Sequence, residues 1–208
     1  MSLYAETIFP WALDRLLGHP NIQARRAALV AQASGETLEI GFGTGATLPF
    51  YRPEQVTRLT VVEPSHGMNR RAAAAIAASP IPVHSQPGAG EHLPFADASF
   101  DTVVTCLTLC SVADPRQVLA EIRRVLKPGG MFLFLEHVLS DDPARQRWQQ
   151  RLNPVQKVIG VGCNLNRNTA AMVRAAGFEL PPVDQEVERA FGALAKLTPL
   201  VAGVARGA

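Results

Sequence analysis

One glycine-rich turn restricts the fold of this chain more than any other feature. Residues 37–40 form a short apolar strand that leads directly into Gly41-Phe42-Gly43-Thr44-Gly45. Glycines at this spacing allow a tight turn and let a ligand lie directly against the main chain. Because ligands of open parallel sheets bind beyond the carboxyl ends of the strands, the turn predicts a ligand site at residues 41–45.

Strands and helices alternate along most of the chain. The strand candidates are residues 37–40, 59–62, 81–85, 101–105 and 131–135. Apolar residues at helical spacing occur before the first strand, between the second and third, and between the fourth and fifth. Further helices are predicted at 145–152 and 169–176, and two closing strands within 178–197. This order predicts an α/β fold with a parallel sheet and helices on both faces.

Composition places the chain among globular proteins of one domain. It has 208 residues, of which 47% are hydrophobic and 18% charged, and its formal net charge is +2. That charge is too small to indicate a nucleic-acid partner. Three cysteines are too few and odd in number for a disulfide framework, and no leader or membrane-spanning stretch is recognisable. The sequence therefore predicts a cytoplasmic protein without a membrane anchor.

Two classes of cofactor fit the glycine turn, and a turn that binds no ligand is a third interpretation. Gly41-x-Gly43-x-x-Ala46 satisfies the dinucleotide fingerprint, with Glu63 about 20 residues further on, where an acid that binds ribose is expected. That interpretation predicts a nicotinamide-dependent oxidoreductase. The same glycines fit S-adenosylmethionine, which carries adenosine without phosphate. The acids Glu39, Glu63 and Glu91 suit such a cationic cofactor better than they suit a pyrophosphate.

Four motifs, in order, resemble those of the class I S-adenosylmethionine-dependent methyltransferases. They are residues 39–45 (EIGFGTG), 61–68 (VVEPSHGM), 90–95 (GEHLPF) and 124–130 (RVLKPGG). The resemblance implies a single Rossmann-like domain with a mostly parallel, seven-stranded sheet whose last strand is antiparallel. It further implies N-terminal helices at 1–34 that cover the cofactor, a cofactor-binding core at 36–137, and acceptor-side helices and closing strands at 138–208.

The resemblance also implies which residues bind S-adenosylmethionine and its product, S-adenosylhomocysteine. Glu63 would bind the ribose hydroxyls, and Met68 would lie against the adenine ring or, equally, be a core residue of its helix. Many relatives have an aspartate where this chain has Ala89, so main-chain groups beside it would have to bind the adenine amino group. The implied cofactor site is Glu39, Gly41, Gly43, Gly45, Glu63, Met68, Gly90, Glu91 and Leu107.

A closer resemblance points to the acceptor of the methyl group. Residues 104–112, 136–138, 148–150 and 162–167 resemble the methyltransferase-like proteins that methylate small alkyl thiols, although related enzymes methylate quinones and phospholipid head groups. The resemblance implies an acceptor pocket that includes Tyr4, Thr108, Asn164 and Arg167. The last two residues could instead cap the helix that begins near Asn168. The sequence leaves the oligomeric state open.

His137 is the candidate catalytic residue. It ends the fifth strand, and an imidazole with a pKa near 6.5 suits proton removal from the acceptor, although a structural histidine is an equal alternative. Cys106, Cys110 and Cys163 are predicted to be small core-filling residues. Because a Cys-x3-Cys spacing without paired histidines is a poor set of ligands, no metal is expected.

Overall fold

The computed structural model describes residues 3–183, 185–187 and 199–207. Within them, one sheet has the strand order β3-β2-β1-β4-β5-β8-β6, and the short β7 pairs with β8. Strands β1 to β5 are parallel to one another, and β8 is antiparallel to β5, as expected. The strands are β1 Gly35–Ile40, β2 Val56–Glu63, β3 Val83–Pro87, β4 Phe100–Cys106, β5 Leu126–His137, β6 Phe178–Glu179, β7 Glu186–Val187 and β8 Pro199–Gly207.

Six α-helices accompany this sheet in the described residues, preceded by a π-helical turn at Tyr4–Ile8. They are α1 Phe9–Leu17, α2 Pro20–Val30, α3 His66–Ala77, α4 Pro115–Val125, α5 Pro143–Ile159 and α6 Thr169–Ala175. Asp114 caps α4, because its side chain accepts hydrogen bonds from the main-chain N–H groups of Arg116 and Gln117. The Ser65 side chain caps α3 in the same way, by accepting a hydrogen bond from the N–H of Met68.

The strand β5 shows why the fold buries both faces of its sheet. Phe132 and Phe134 pack with α4 on one face, while Leu133 and Leu135 pack with residues of α2 on the other. All four side chains are buried. A strand covered on both faces is apolar without alternation, which confirms the prediction drawn from residues 131–135.

The observed β5 is longer than the predicted strand. It begins at Leu126, and its register against β4 shifts between Phe100 and Thr102. The extra residues 127–130 contain a proline and two glycines, which are unusual inside a strand. The Lys127 ammonium pairs with the Asp101 carboxylate at 2.7 Å. An irregular pairing therefore accommodates a turn-like sequence inside a strand.

Three other predicted boundaries were displaced. The third strand was placed at 81–85 but lies at Val83–Pro87, because Ile81 is buried in the turn that precedes it. The helix placed at 145–152 runs from Pro143 to Ile159 and passes through Pro154. Of the closing strands expected within 178–197, β6 and β7 have two residues each, residues 188–197 lie outside the described part, and the long strand β8 comes later.

No helix among the described residues combines the length and the apolar character that crossing a bilayer requires.

Removal of the α4 cap should destabilise the protein. Asp114→Ala leaves two main-chain N–H groups without their side-chain acceptor, which should lower the free energy of unfolding by about 0.5–2 kcal/mol. Urea unfolding followed by circular dichroism measures this change. Glu54→Ala, at an exposed position outside the helices, should change the free energy by less than about 0.5 kcal/mol. Equal effects of the two substitutions would contradict the capping role.

Candidate functional site

A cavity of about 1190 Å³ lies at the carboxyl ends of β1, β4 and β5. It is located where the strand order reverses between β1 and β4, which is the position at which open α/β sheets bind ligands. The glycine turn and the end of β2 line one end of the cavity. The ends of β4 and β5 and the loop after α5 line the other end. These are called the glycine end and the β5 end below.

The glycine turn has the conformation that its sequence predicts. Gly41, Gly43 and Gly45 all have positive φ angles, of 73°, 60° and 84°. A side chain at position 41 would collide with Thr108, and one at position 43 would extend into open space, with no atom nearer than 4.0 Å. Gly41 therefore permits close packing of two loops, whereas Gly43 keeps the surface of the cavity free.

Glu63 supports the glycine turn from the end of β2. One of its carboxylate oxygens accepts a hydrogen bond from the N–H of Gly43 at 2.9 Å, and the other accepts one from the N–H of Ser65 at 2.9 Å. Only 8% of the residue is exposed, and burial raises the pKa of its carboxyl group while the two hydrogen bonds oppose that change. Each oxygen retains a second lone pair that can accept a hydrogen bond from a ligand.

Glu39 lies beneath the same turn and is 1% exposed. Its carboxylate accepts hydrogen bonds of 2.8 Å from the hydroxyl groups of Thr47 and Tyr51. Burial raises its pKa to about 7, although these two hydrogen bonds and the nearby Arg26 lower it. Glu39 therefore fastens the segment that follows the glycine turn and changes its charge near neutral pH.

The N-terminal helices lie over the glycine end. Asp14 accepts hydrogen bonds from the Thr44 hydroxyl in the glycine turn and from the Arg71 guanidinium on α3. The carboxylate of Glu6 accepts a hydrogen bond from the N–H of Gly67 at the start of α3. The hydroxyl of Tyr4 donates to the carbonyl oxygen of Ile159 at 2.7 Å. Residues from this segment consequently form one wall of the cavity.

The adenine-side residues expected from the sequence also line the cavity. Met68, Ala89, Gly90 and Glu91 are all in its wall. The Glu91 carboxylate accepts hydrogen bonds from the N–H groups of Ala113 and Asp114, at 2.9 and 3.2 Å, so it is fastened to the start of α4. Main-chain groups beside Ala89 thus remain the candidates for binding a ligand there.

A buried carboxylate shapes the loop that follows β4. Glu136 is fully buried, and it accepts hydrogen bonds from the N–H groups of Thr108, Leu109 and Cys110 at 3.0, 2.8 and 3.2 Å. Burial raises its pKa, and the three main-chain donors lower it. At the start of this loop Leu107 has a positive φ of 58°, a strained conformation for leucine that places it in the cavity wall.

Asn164 and Arg167 hold this loop from the opposite side. The Asn164 amide nitrogen donates to the Cys110 carbonyl at 3.1 Å, and Arg167 donates to the carbonyl oxygens of Leu109 and Val112. Neither Asn164 nor Arg167 is among the described residues that line the cavity. The cap of α6 is Asn168, whose side chain accepts from the N–H of Ala171. Direct contact of Asn164 or Arg167 with an acceptor stays a prediction.

The β5 end brings together three residues that are distant in sequence. The Cys163 sulfur lies 3.8 Å from the Cys110 sulfur and 3.8 Å from Nδ1 of His137. All three residues line the cavity, and both sulfurs belong to buried residues. The Cys110 thiol lowers the pKa of Cys163, with a smaller contribution from His137, and the same contact raises the pKa of Cys110.

Sequence reasoning missed several of these contacts. Glu136 directly follows the apolar run 131–135, and this position is the signal from which its burial could have been predicted. Cys110 was compared with Cys106, four residues earlier, whereas the fold pairs it with Cys163 and His137. Cys106 packs against the residues on the other face of the sheet. That pairing depends on a loop after α5 whose position the sequence does not indicate.

Comparisons with known proteins agree with this geometry. A family model described as a methyltransferase domain matches residues 38–134. A thiol S-methyltransferase of Rattus norvegicus is 35% identical over 187 residues, which are 83% of this chain and 76% of the relative. A phosphatidylethanolamine N-methyltransferase of Cereibacter sphaeroides is 35% identical over 156 residues, which are 72% of this chain and 75% of that relative.

A solved structure shows the same fold. Phosphoethanolamine N-methyltransferase 2 of Haemonchus contortus, in complex with S-adenosyl-L-methionine, superposes with a TM-score of 0.72 at 16% identity. The superposition covers 95% of this chain and 56% of that one. At this identity the likeness concerns the arrangement of strands and helices.

Ionisation of Glu39 should make stability depend on pH in the protein without ligand. Its folded pKa of about 7 lies above the ordinary 4.5, so the unfolded chain loses this proton first and stability falls as pH rises through that interval, then levels off. Glu39→Gln should remove up to about 1 kcal/mol per pH unit of that slope. Urea unfolding at several pH values measures it. Glu36→Gln, a partly exposed position on the same strand, is the control, and equal slopes in the Glu39→Gln and unaltered proteins would refute the assignment.

Proposed function

Since this chain belongs to the class I S-adenosylmethionine-dependent methyltransferases, we propose that it methylates the sulfur of a small-molecule thiol. The observation that carries the proposal is the 35% identity to a thiol S-methyltransferase over 187 residues, because this match extends well beyond the cofactor-binding residues 38–134. Residues that contact the acceptor lie largely outside that core in the proposed arrangement.

The glycine end fits the cofactor, S-adenosylmethionine. Gly43 leaves open space where a side chain would stand, and each oxygen of Glu63 has a lone pair for a ribose hydroxyl. When bound, the cofactor supplies an electrophilic methyl group on a positively charged sulfur. We propose that this end of the cavity owes its shape to Gly41, Gly45, Glu39 and Leu107. The adenine contacts are assigned to Met68, Gly90 and Glu91.

The β5 end suits a thiol in its chemistry. A thiol with a pKa near 8.5 already provides some thiolate at neutral pH, so its sulfur needs alignment more than a strong base. Apolar residues such as Leu13, Ile159 and Val161 line the cavity, and a dry site favours the reaction of a thiolate with a sulfonium because their charges cancel. In this proposal Tyr4 and Thr108 lie next to the acceptor. Asn164 and Arg167 hold the loop beside it.

A phospholipid amine is the second candidate, because the relative from Cereibacter sphaeroides is named for that reaction. An ammonium acceptor would have to lose a proton beside a cationic cofactor, which calls for a free carboxylate. The Glu136 carboxylate is occupied by three main-chain N–H groups. The Arg167 guanidinium, which could bind a head-group phosphate, is occupied by two carbonyl oxygens. These contacts favour the thiol.

In this proposal, three consecutive segments of the chain have different roles. Residues 1–34 cover the cofactor, 36–137 bind it, and 138–208 complete the acceptor side. We place the enzyme in the cytoplasm, because three cysteines without a disulfide pattern suit a reducing compartment. His137 is the proposed catalytic residue at the β5 end.

Loss of the Glu63 carboxylate should weaken cofactor binding. Glu63→Ala removes the proposed acceptor of two ribose hydroxyl groups, each worth about 1.5–3 kcal/mol, so the affinity for S-adenosylhomocysteine should fall at least about tenfold. Isothermal calorimetry measures that affinity, and circular dichroism checks the fold. Glu36→Ala, which removes a carboxylate at the opposite end of the sheet, should leave the affinity unchanged. Unaltered binding by Glu63→Ala would exclude Glu63 from the site.

The acceptor class can be identified by direct assay. With S-adenosylmethionine present, small alkyl thiols should yield S-adenosylhomocysteine faster than a quinol or a phospholipid amine at equal concentration. Chromatography of the methylated product measures the reaction, and the corresponding alcohols serve as matched controls because only the sulfur differs. Product from the amine or the quinol but not from thiols would refute the thiol proposal and leave the methyltransferase class in place.

A further inference from the structure

Two sulfurs and one imidazole nitrogen form a compact group at the β5 end of the cavity. Cys110 Sγ, His137 Nδ1 and Cys163 Sγ all lie within 4.8 Å of one another. Cys163 Sγ is 3.8 Å from each of the other two atoms. Thiolate sulfur and imidazole nitrogen are the ligands that zinc prefers in proteins.

The two distances from Cys163 Sγ match a tetrahedral metal ion, and the third, between Cys110 Sγ and His137 Nδ1, is at most 4.8 Å and would have to shorten on binding. Zinc–sulfur bonds of about 2.3 Å and zinc–nitrogen bonds of about 2.0–2.1 Å place two sulfurs about 3.8 Å apart, and a sulfur and a nitrogen about 3.6 Å apart. We propose that Cys110, His137 and Cys163 bind one zinc ion through these three atoms. Three protein ligands and one open position are the arrangement of catalytic zinc sites, whereas structural sites are closed by a fourth ligand.

Contacts around the three residues hold them in place. The main-chain N–H of Cys110 donates to the buried Glu136 carboxylate, and its carbonyl oxygen accepts from the main chain and side chain of Asn164. These bonds join the loop after β4 to the segment that carries Cys163. His137 is in register with Leu200 at the end of β5. Such outer contacts orient metal ligands and are a regular part of metal sites.

The open position faces the same cavity that contains the glycine end, since all three ligands line it. This part of the inference rests on the proposed function: the fourth ligand is the acceptor thiol. On coordination the thiol releases its proton to water and its sulfur stays on the zinc as a thiolate, as for thiols bound to metal generally. Zinc neither gains nor loses electrons in this step.

Cobalt provides the test, because tetrahedral cobalt thiolate sites absorb visible light. Reduced protein, treated with a chelator and then desalted, should bind one cobalt ion per chain with this absorption. Cys163→Ser and Cys110→Ser should each weaken binding by more than about 100-fold, since even outer-shell changes typically cost 10- to 100-fold. Cys106→Ser, a buried cysteine outside the trio, is the matched control and should bind cobalt normally. Circular dichroism and S-adenosylhomocysteine binding confirm that each variant folds.

The outcomes separate the metal site from the thiol reaction. Addition of a small alkyl thiol should change the cobalt spectrum, and the corresponding alcohol should not. Absence of cobalt binding, or binding that both serine variants retain, would overturn the site even if thiols are methylated. Cobalt binding without methylation of any thiol would keep the site and refute the proposed function.

Discussion

The Glu136 carboxylate is the interaction on which the β5 end depends. A fully buried carboxylate is costly unless hydrogen bonds compensate, and three consecutive main-chain N–H groups do so here. The carboxylate thereby imposes a tight curve on residues 108–110 directly after β4. That curve directs Cys110 toward Cys163 and places its carbonyl oxygen against Asn164.

The glycine end is built on the same principle at the neighbouring strands. Glu63, at the end of β2, accepts hydrogen bonds from the main-chain N–H groups of the glycine turn and of the segment that follows β2. Glu39 in β1 accepts hydrogen bonds from two hydroxyl groups. In each case an acid at or near a strand end organises the segment that emerges beside it. Two of these acids, Glu39 and Glu63, line the cavity, and Glu136 shapes the loop beside it. Burial of each acid costs stability that the surrounding apolar core must offset.

The sequence was sufficient to predict the features of the fold that depend on residues close together in the chain. The alternation of strands and helices, the glycine turn and the caps at Ser65 and Asp114 all express local physical rules, and the structure has each of them. The β5 end was less predictable. The contact of Cys110 with Cys163 joins residues 53 apart in sequence, and the position of β8 depends on a Gly- and Ala-rich segment without a strong strand signal. Contacts between residues so far apart in the chain cannot be predicted from the local sequence pattern.

The clasp that Asp14 forms across the glycine turn has a kinetic consequence. Its carboxylate links three elements at once, since Thr44 belongs to the turn and Arg71 to α3. Separation of α1 from the glycine turn and α3 breaks both contacts together, so the clasp slows that motion. The Arg71–Asp14 pair is partly exposed, and dissolved salt weakens it. Higher ionic strength should therefore make the separation of α1 from α3 more frequent.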